Sequence, residues 1–132
     1  MNYWMVKSEP GSYSWEDFKK KGEDVWDGVR NYQARNFLRD MKLGDLVMFY
    51  HSGKDKAVVG VAEVSEESFP DPNNPDWLAV KLKVNSSLKN PVTLQDIKSE
   101  DLLSNMLMLR QSRLSVMSLE KSEFDLIHKM GS

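Results

Sequence analysis

A chain of 132 residues with no cysteine and a formal charge of −2 already limits what this protein can be. It is long enough to bury a core as one domain, 1–132, without staples, and it has neither a disulfide framework nor a thiolate metal site. Its near balance of 18 basic and 20 acidic side chains excludes the blanket basicity of a non-specific nucleic-acid binder.

In chain order, the aromatic and β-branched residues of Asn2–Lys7 predict a strand, ended by Ser8-Glu9-Pro10-Gly11. Ser14 caps a short helix with Asp17 three residues on, and Lys19-Lys20-Lys21-Gly22 closes it with cations and a C-terminal glycine. Val25-Trp26 is a brief extended piece and Asp27-Gly28 a turn. Asn31 caps a second helix running to about Met41, with Ala34, Phe37, Leu38 and Met41 as its apolar stripe. That stripe leaves Tyr32 and Asn36 on one remaining face and Arg35 and Arg39 on another. Leu46–His51 reads as a strand buried on both faces, and Ser52–Lys56 as a hairpin loop. Ala57–Val64 is the returning strand, with Gly60 marking a bulge or a close approach. Glu66–Asp76, with three prolines, predicts a loop. Trp77–Val84 alternates as a strand, and Asn85–Asn90 predicts a turn. Thr93–Ile97 and Glu100–Leu103 read as short helical turns and Leu114–Leu119 as a last strand. Ser122 would cap a closing helix, Glu123–Met130. Strands so closely spaced predict an α+β fold with a largely antiparallel, partly closed, curved sheet and helices packed outside it.

Charge is distributed unevenly. Arg30, Arg35, Arg39 and Lys42 fall within one short segment with Asp40 as the lone acid, whereas the acids Glu63 to Asp76 meet no cation. Nucleic acid, if bound, would meet one face. The plain alternative is a scatter of solvated charge. The N-terminus lacks the basic and long apolar regions of a secretory signal, and no apolar run nears the ~20 residues that span a bilayer. The expectation is a soluble monomer of the cytoplasm, or of the nucleus in a eukaryote, with no membrane partner.

Several motifs stand in a recognisable order: Tyr3-Trp4-Met5-Val6-Lys7-Ser8-Glu9-Pro10, the run Trp26 to Asn36, Met41 to Asp45, and Phe49-Tyr50-His51-Ser52. Gly60-Val61, Phe69-Pro70-Asp71, Pro91 to Leu94, Ile97-Lys98 and Arg113 to Val116 continue the series. Each is weak alone, but in register across the chain they resemble the EVE domain family. The resemblance implies a PUA-like β-barrel, related to the YTH readers of methylated adenine in RNA. It also implies a reader of modified bases, chiefly modified cytosine in DNA for some members. Phe69 departs from the tyrosine common at its place.

The candidate residues carry two readings each. Trp26 is a wall on which a base could stack or a core tryptophan, and the resemblance aligns it with a cage position of the YTH readers. Lys7, Ser8 and Glu9, at a strand end, could meet a base's Watson–Crick edge, with the carboxylate accepting from a cytosine amino group, or form a solvated turn. Asn31, Tyr32 and Asn36 are candidates for the pocket, although Asn31 equally serves as a plain helix cap. His51 and Ser52 end a strand beside them; a lone histidine there is usually structural. Arg30, Arg35, Arg39 and Arg113 are candidate phosphate contacts. No third ligand joins His51 and His128 at metal spacing, so neither a metal nor another cofactor is expected. The favoured function is a non-catalytic module that binds nucleic acid containing a modified base, in DNA or RNA. The alternative is a small enzyme on a modified nucleoside, like the ASCH amidohydrolases, with Lys7 paired to Glu9 or Glu16.

Overall fold

The computed structural model describes residues Met1–Ser132. Its elements are β1 (Tyr3–Ser8), α1 (Trp15–Lys21), β2 (Glu23–Trp26), α2 (Tyr32–Asp40), β3 (Leu46–His51), β4 (Ala57–Asp71) and β5 (Asn74–Thr93). After them come α3 (Leu94–Lys98), a 3-10 turn (Asp101–Leu103), α4 (Leu107–Arg110), β6 (Val116–Leu119) and α5 (Lys121–Met130). The six strands form one sheet in the order β2-β5-β4-β3-β1-β6. The β1–β3 pair is parallel and the other four pairs are antiparallel. The hydrogen-bonded ladder is open, with β2 and β6 as its edges. No helix is long and apolar enough to cross a membrane.

Local chemistry accounts for most boundaries. Ser14 and Asp17 form a reciprocal capping box at α1, and Gly22 ends that helix at φ 77°. Asn31 caps α2 by accepting the Ala34 N–H, as its sequence position predicts. The aliphatic stripe of α2 buries Ala34 and Leu38, followed by Met41. Asp45 closes the turn after α2. Its buried carboxylate accepts from the Trp4 indole at 2.9 Å, the Lys42 N–H at 3.0 Å and the Asn2 N–H at 3.1 Å. One cluster of 30 buried apolar residues fills the core between sheet and helices, with Met5, Phe18, Leu38 and Phe49 fully enclosed.

Three expectations are corrected. The proline-rich segment 66–76 is not a loop: β4 runs to Asp71 and β5 starts at Asn74, so Pro72 and Asn73 alone make the turn. The prolines are accommodated because the ladder shifts register after Val64, after Glu66 and after Pro70. The polar run 85–90 is not a turn either, for β5 passes through it, with Ser86 and Ser87 opposite Val61 and Gly60. The closing helix is capped by Glu120 with Glu123 in a capping box, not by Ser122. Gly60 shows both of its expected features. The ladder shifts beside it, and the Trp15 ring lies so close that a Cβ there would stand 2.2 Å from Trp15 Cζ2.

Candidate functional site

The C-terminal end of β1 delivers Lys7 and Ser8 to the rim of the sheet, and Glu9-Pro10 turns the chain away. The Ser8 hydroxyl donates to the Tyr13 carbonyl at 2.5 Å, and the Ser12 and Tyr13 N–H groups donate to the Glu9 carbonyl. The 8–13 turn is therefore folded upon itself, with a Glu9 carboxylate oxygen accepting the Gly11 N–H. Lys7 donates its ammonium to the Ser112 carbonyl at 2.8 Å and lies 5.7 Å from the centre of the Tyr50 ring. Burial pushes its pKa below the ordinary lysine value.

Trp26 ends β2 opposite Val80. It is half-buried, with edge-on contacts to Phe49 at 5.5 Å and Tyr13 at 6.2 Å. It packs against the core and also lines a cleft. Beside it the Tyr13 hydroxyl donates to Asp24 at 2.5 Å. Burial, then that hydrogen bond, raises the Tyr13 pKa well above its usual value. Burial works the other way on Asp24, but the donors Tyr13, Lys21 and the Val25 N–H outweigh it and keep the carboxyl below its usual pKa.

The turn after Trp26 is fixed by a residue from the far end of the β4–β5 hairpin. Gly28 takes φ 78°, a left-handed conformation that favours glycine, and its N–H reaches Asp71 at 2.9 Å. Arg30 meets the same carboxylate oxygen at 3.0 Å, and the Asn73 N–H meets the other at 2.7 Å. The Asp71 side chain is wholly enclosed. Burial would raise its pKa, but the Gly28 and Asn73 N–H groups and the Arg30 guanidinium together hold it down to about 2. Asp71 was not among the expected site residues, although it stands in the Phe69-Pro70-Asp71 motif. Tyr13 and Asp24 were also missed, and no local pattern marks them.

These elements enclose a cleft of about 580 Å³, within the range of small-molecule sites. Of the candidates, Lys7, Ser8, Glu9, Trp26 and Arg30 line it, and Tyr13, Asp24, Asp27 and Ser115 complete the polar wall. Lys7, Lys21 and Arg30 face Glu9, Asp24 and Asp27, so the cleft carries as many anions as cations. Such a wall is poorly matched to a phosphate and well matched to a neutral planar molecule with donors and acceptors on its edge.

The remaining candidates lie elsewhere. Asn31 is occupied as a cap, and with Arg113, Arg110 and Ser112 it lines a second cleft of about 380 Å³. Tyr32 turns outward and stacks on Trp77, with the Arg35 guanidinium 4.9 Å from its ring centre. Asn36 is exposed on α2, away from the cleft. His51 is structural: its Nε2 accepts the Trp15 N–H at 2.9 Å, which directs the proton on Nδ1 toward Asp55 at 3.1 Å. Ser52 does come to the 7–10 turn, but through its backbone, whose N–H donates to the Ser8 carbonyl. Arg30 is tied to Asp71 rather than free for a phosphate, and Arg39 lies 3.9 Å from Asp40. Glu16 pairs with Lys19 at 3.0 Å and does not line the cleft, so it gives Lys7 no partner there.

The EVE domain model matches residues 2–130. Thymocyte nuclear protein 1 of Homo sapiens is 34% identical, over 96% of this chain and 72% of its own length. The X-ray structure of a protein from Agrobacterium tumefaciens is 41% identical and superposes with a TM-score of 0.97, covering 100% of this chain and 94% of its own. The human THYN1 protein in complex with 5-methylcytosine containing DNA is 32% identical, with a TM-score of 0.93 over 100% of this chain and 98% of that one. An ASCH structure from Zymomonas mobilis, 13% identical with a TM-score of 0.60, shares the fold alone. Matched from Asn2 to Met130 and similar throughout to these relatives, the chain belongs to the EVE domain family.

Proposed function

We propose that this protein binds nucleic acid by admitting one unpaired or flipped base, a modified cytosine in DNA, to the cleft beside Trp26. The observation that carries the reading is the convergence of a half-buried tryptophan with the Lys7–Glu9 strand end on one charge-balanced cleft. The base stacks on Trp26, which contributes about 1–3 kcal/mol, enough to offset much of the few kcal/mol that extruding a base costs. Glu9 or Asp24 accepts from the exocyclic amino group, and Lys7 donates to the ring carbonyl. Arg113, Arg35 and Arg39 hold the flanking phosphates from outside the cleft. The likeness to the human THYN1 protein, solved with 5-methylcytosine containing DNA, supports DNA and cytosine as the target.

In this reading the sheet is a PUA-like, partly closed barrel with the cleft at its mouth. What supports it is that Trp26, on edge strand β2, and Ser115, leading into the opposite edge β6, line the same cleft. The sheet must curl for its two edges to meet there.

A panel of single- and double-stranded oligonucleotides carrying different cytosine and adenine modifications tests the proposal, with Trp26→Ala as the control. We expect selective binding by the wild type and its loss in Trp26→Ala, with the circular dichroism spectrum retained. Unchanged affinity in Trp26→Ala would remove the tryptophan from the site. Chemical turnover of a modified cytidine, followed by mass spectrometry, would replace the reader with an enzyme.

A further inference from the structure

We infer that Tyr32, Trp77 and Arg35 form a second nucleotide contact, a platform on which the base next to the one in the cleft stacks; this rests on the reading of the cleft above. Tyr32 opens α2 yet keeps 67% of its surface exposed. Its ring stacks on Trp77, with centres 5.0 Å apart and planes 29° apart. The Arg35 guanidinium, one helical turn on, stands 4.9 Å from the Tyr32 centre and 5.7 Å from that of Trp77. Tyr32 is thus held in place by two planar neighbours while much of its surface faces solvent, so little side-chain freedom remains to be lost on binding.

The chemistry favours a nucleotide. An exposed π-face stacks on any base without reading its sequence. Arg35 makes no ion pair, unlike Arg30, so its N–H donors are available to a phosphate while the guanidinium stays close to both rings. Tyr, Trp and Arg also anchor protein interfaces, but the core around such anchors is more apolar than the rest of a surface, whereas Asn31, Gln33 and Asn36 around Tyr32 are polar and exposed. The platform is also continuous with the cleft. Arg30 lines the cleft, and its guanidinium lies 5.7 Å from the centre of Trp77. A strand with one base in the cleft passes Arg30 before its neighbouring base reaches Tyr32. The sequence placed Tyr32 in the base pocket itself; in the structure it lies outside the lining of the cleft, and we set it one nucleotide outward.

The test uses a single-stranded DNA heptamer with a central 5-methylcytosine and 2-aminopurine on its 5′ or 3′ side. Binding to the wild type should quench 2-aminopurine on one side only, and Tyr32→Ala should abolish that quenching. Tyr32→Ala should weaken the heptamer by roughly 5- to 100-fold, while Tyr32→Phe stays near wild type. Free 5-methyl-2′-deoxycytidine, titrated by NMR, should bind both proteins equally. An abasic residue on the quenched side should weaken the wild type as much as the mutation does, and the two changes should not add. Wild-type affinity in Tyr32→Ala, or an equal loss for the free nucleoside, overturns the platform. The cleft reading survives that result if Trp26→Ala still loses binding; if Trp26→Ala binds normally, both fall. A wild type that binds only duplex DNA overturns the platform and leaves the cleft.

Discussion

Asp71 holds the wall of the cleft that Gly28 and Arg30 form, and it does so through its charge. Two backbone N–H groups and one guanidinium converge on a carboxylate that water does not reach. Asp71→Asn keeps the shape but replaces an anion with a neutral amide whose nitrogen cannot accept. We expect a loss of about 2–3 kcal/mol at neutral pH, the scale of hydrogen bonds to a charged group. The pH dependence follows from the depressed pKa of about 2 against the ordinary 3.8. A depressed pKa contributes stability that is fully present above the ordinary value and is lost as pH falls through the folded one. Between pH of about 4 and about 2 the wild type should therefore lose this contribution while Asp71→Asn does not. Urea denaturation across that window checks it, and parallel curves for the two proteins would refute it. Gly60 makes a steric demand of a different kind. A methyl group there meets the indole of Trp15, whose ring N–H donates to the Ser87 hydroxyl at 3.0 Å and whose backbone N–H donates to His51. Gly60→Ala should destabilise by about 1–3 kcal/mol, read as a lowered melting temperature.

At the scale of elements, the β4–β5 hairpin separates what the sequence disclosed from what it concealed. Ser14, Asn31 and the apolar stripe of α2 announce their helices because caps and helical periodicity are local. The Lys7–Glu9 strand end and Trp26 could be picked out for the same reason, since a proline and a glycine turn mark them. The hairpin carries no such mark. Pro70, Pro72 and Pro75 read as a loop, and Asn85 to Asn90 shows no apolar alternation, because the half-buried face of that stretch consists of Ser86 and Leu88, of which only Leu88 is apolar. Without the hairpin, Asp71 has no route to Gly28 and Trp77 no route to Tyr32, so two tertiary contacts, one at the cleft and one on α2, were hidden by one misread element. Tyr32 went to the wrong place because its partner across the sequence was unknown, not because its own helix was misjudged. Hydrogen exchange tests the hairpin directly. Amides paired through Phe69 and Ala79 should exchange at least about tenfold more slowly than those of the Ser52–Lys56 loop. Equally fast exchange would restore the loop.

Over the whole molecule, a chain with a net charge of −2 binds a polyanion only if its free cations share one side and a pocket adds affinity that salt does not screen. The acids between Glu63 and Asp76 oppose binding less than their number implies. Glu63 pairs with Lys83 at 3.5 Å, Asp71 is enclosed against Arg30, and Glu67 accepts the Leu43 N–H. Arg35 and Arg113, by contrast, make no ion pair, and both stand outside the cleft near the start of α2, one over Tyr32 and the other beside Asn31 and Ser112. With about two or three phosphates engaged, log K should fall against log salt for single-stranded DNA with a slope near −1.5 to −2. Arg35→Ala and Arg113→Ala should each make that slope shallower by about 0.7, one phosphate's share on a single strand. Trp26→Ala should lower affinity at every salt concentration and leave the slope as it was, because stacking releases no counterion. The two kinds of variant thus separate a pocket that reads a base from a surface that holds a backbone. A shallower slope in Trp26→Ala, or an unchanged one in both arginine variants, would mean that the two are not separate on this protein.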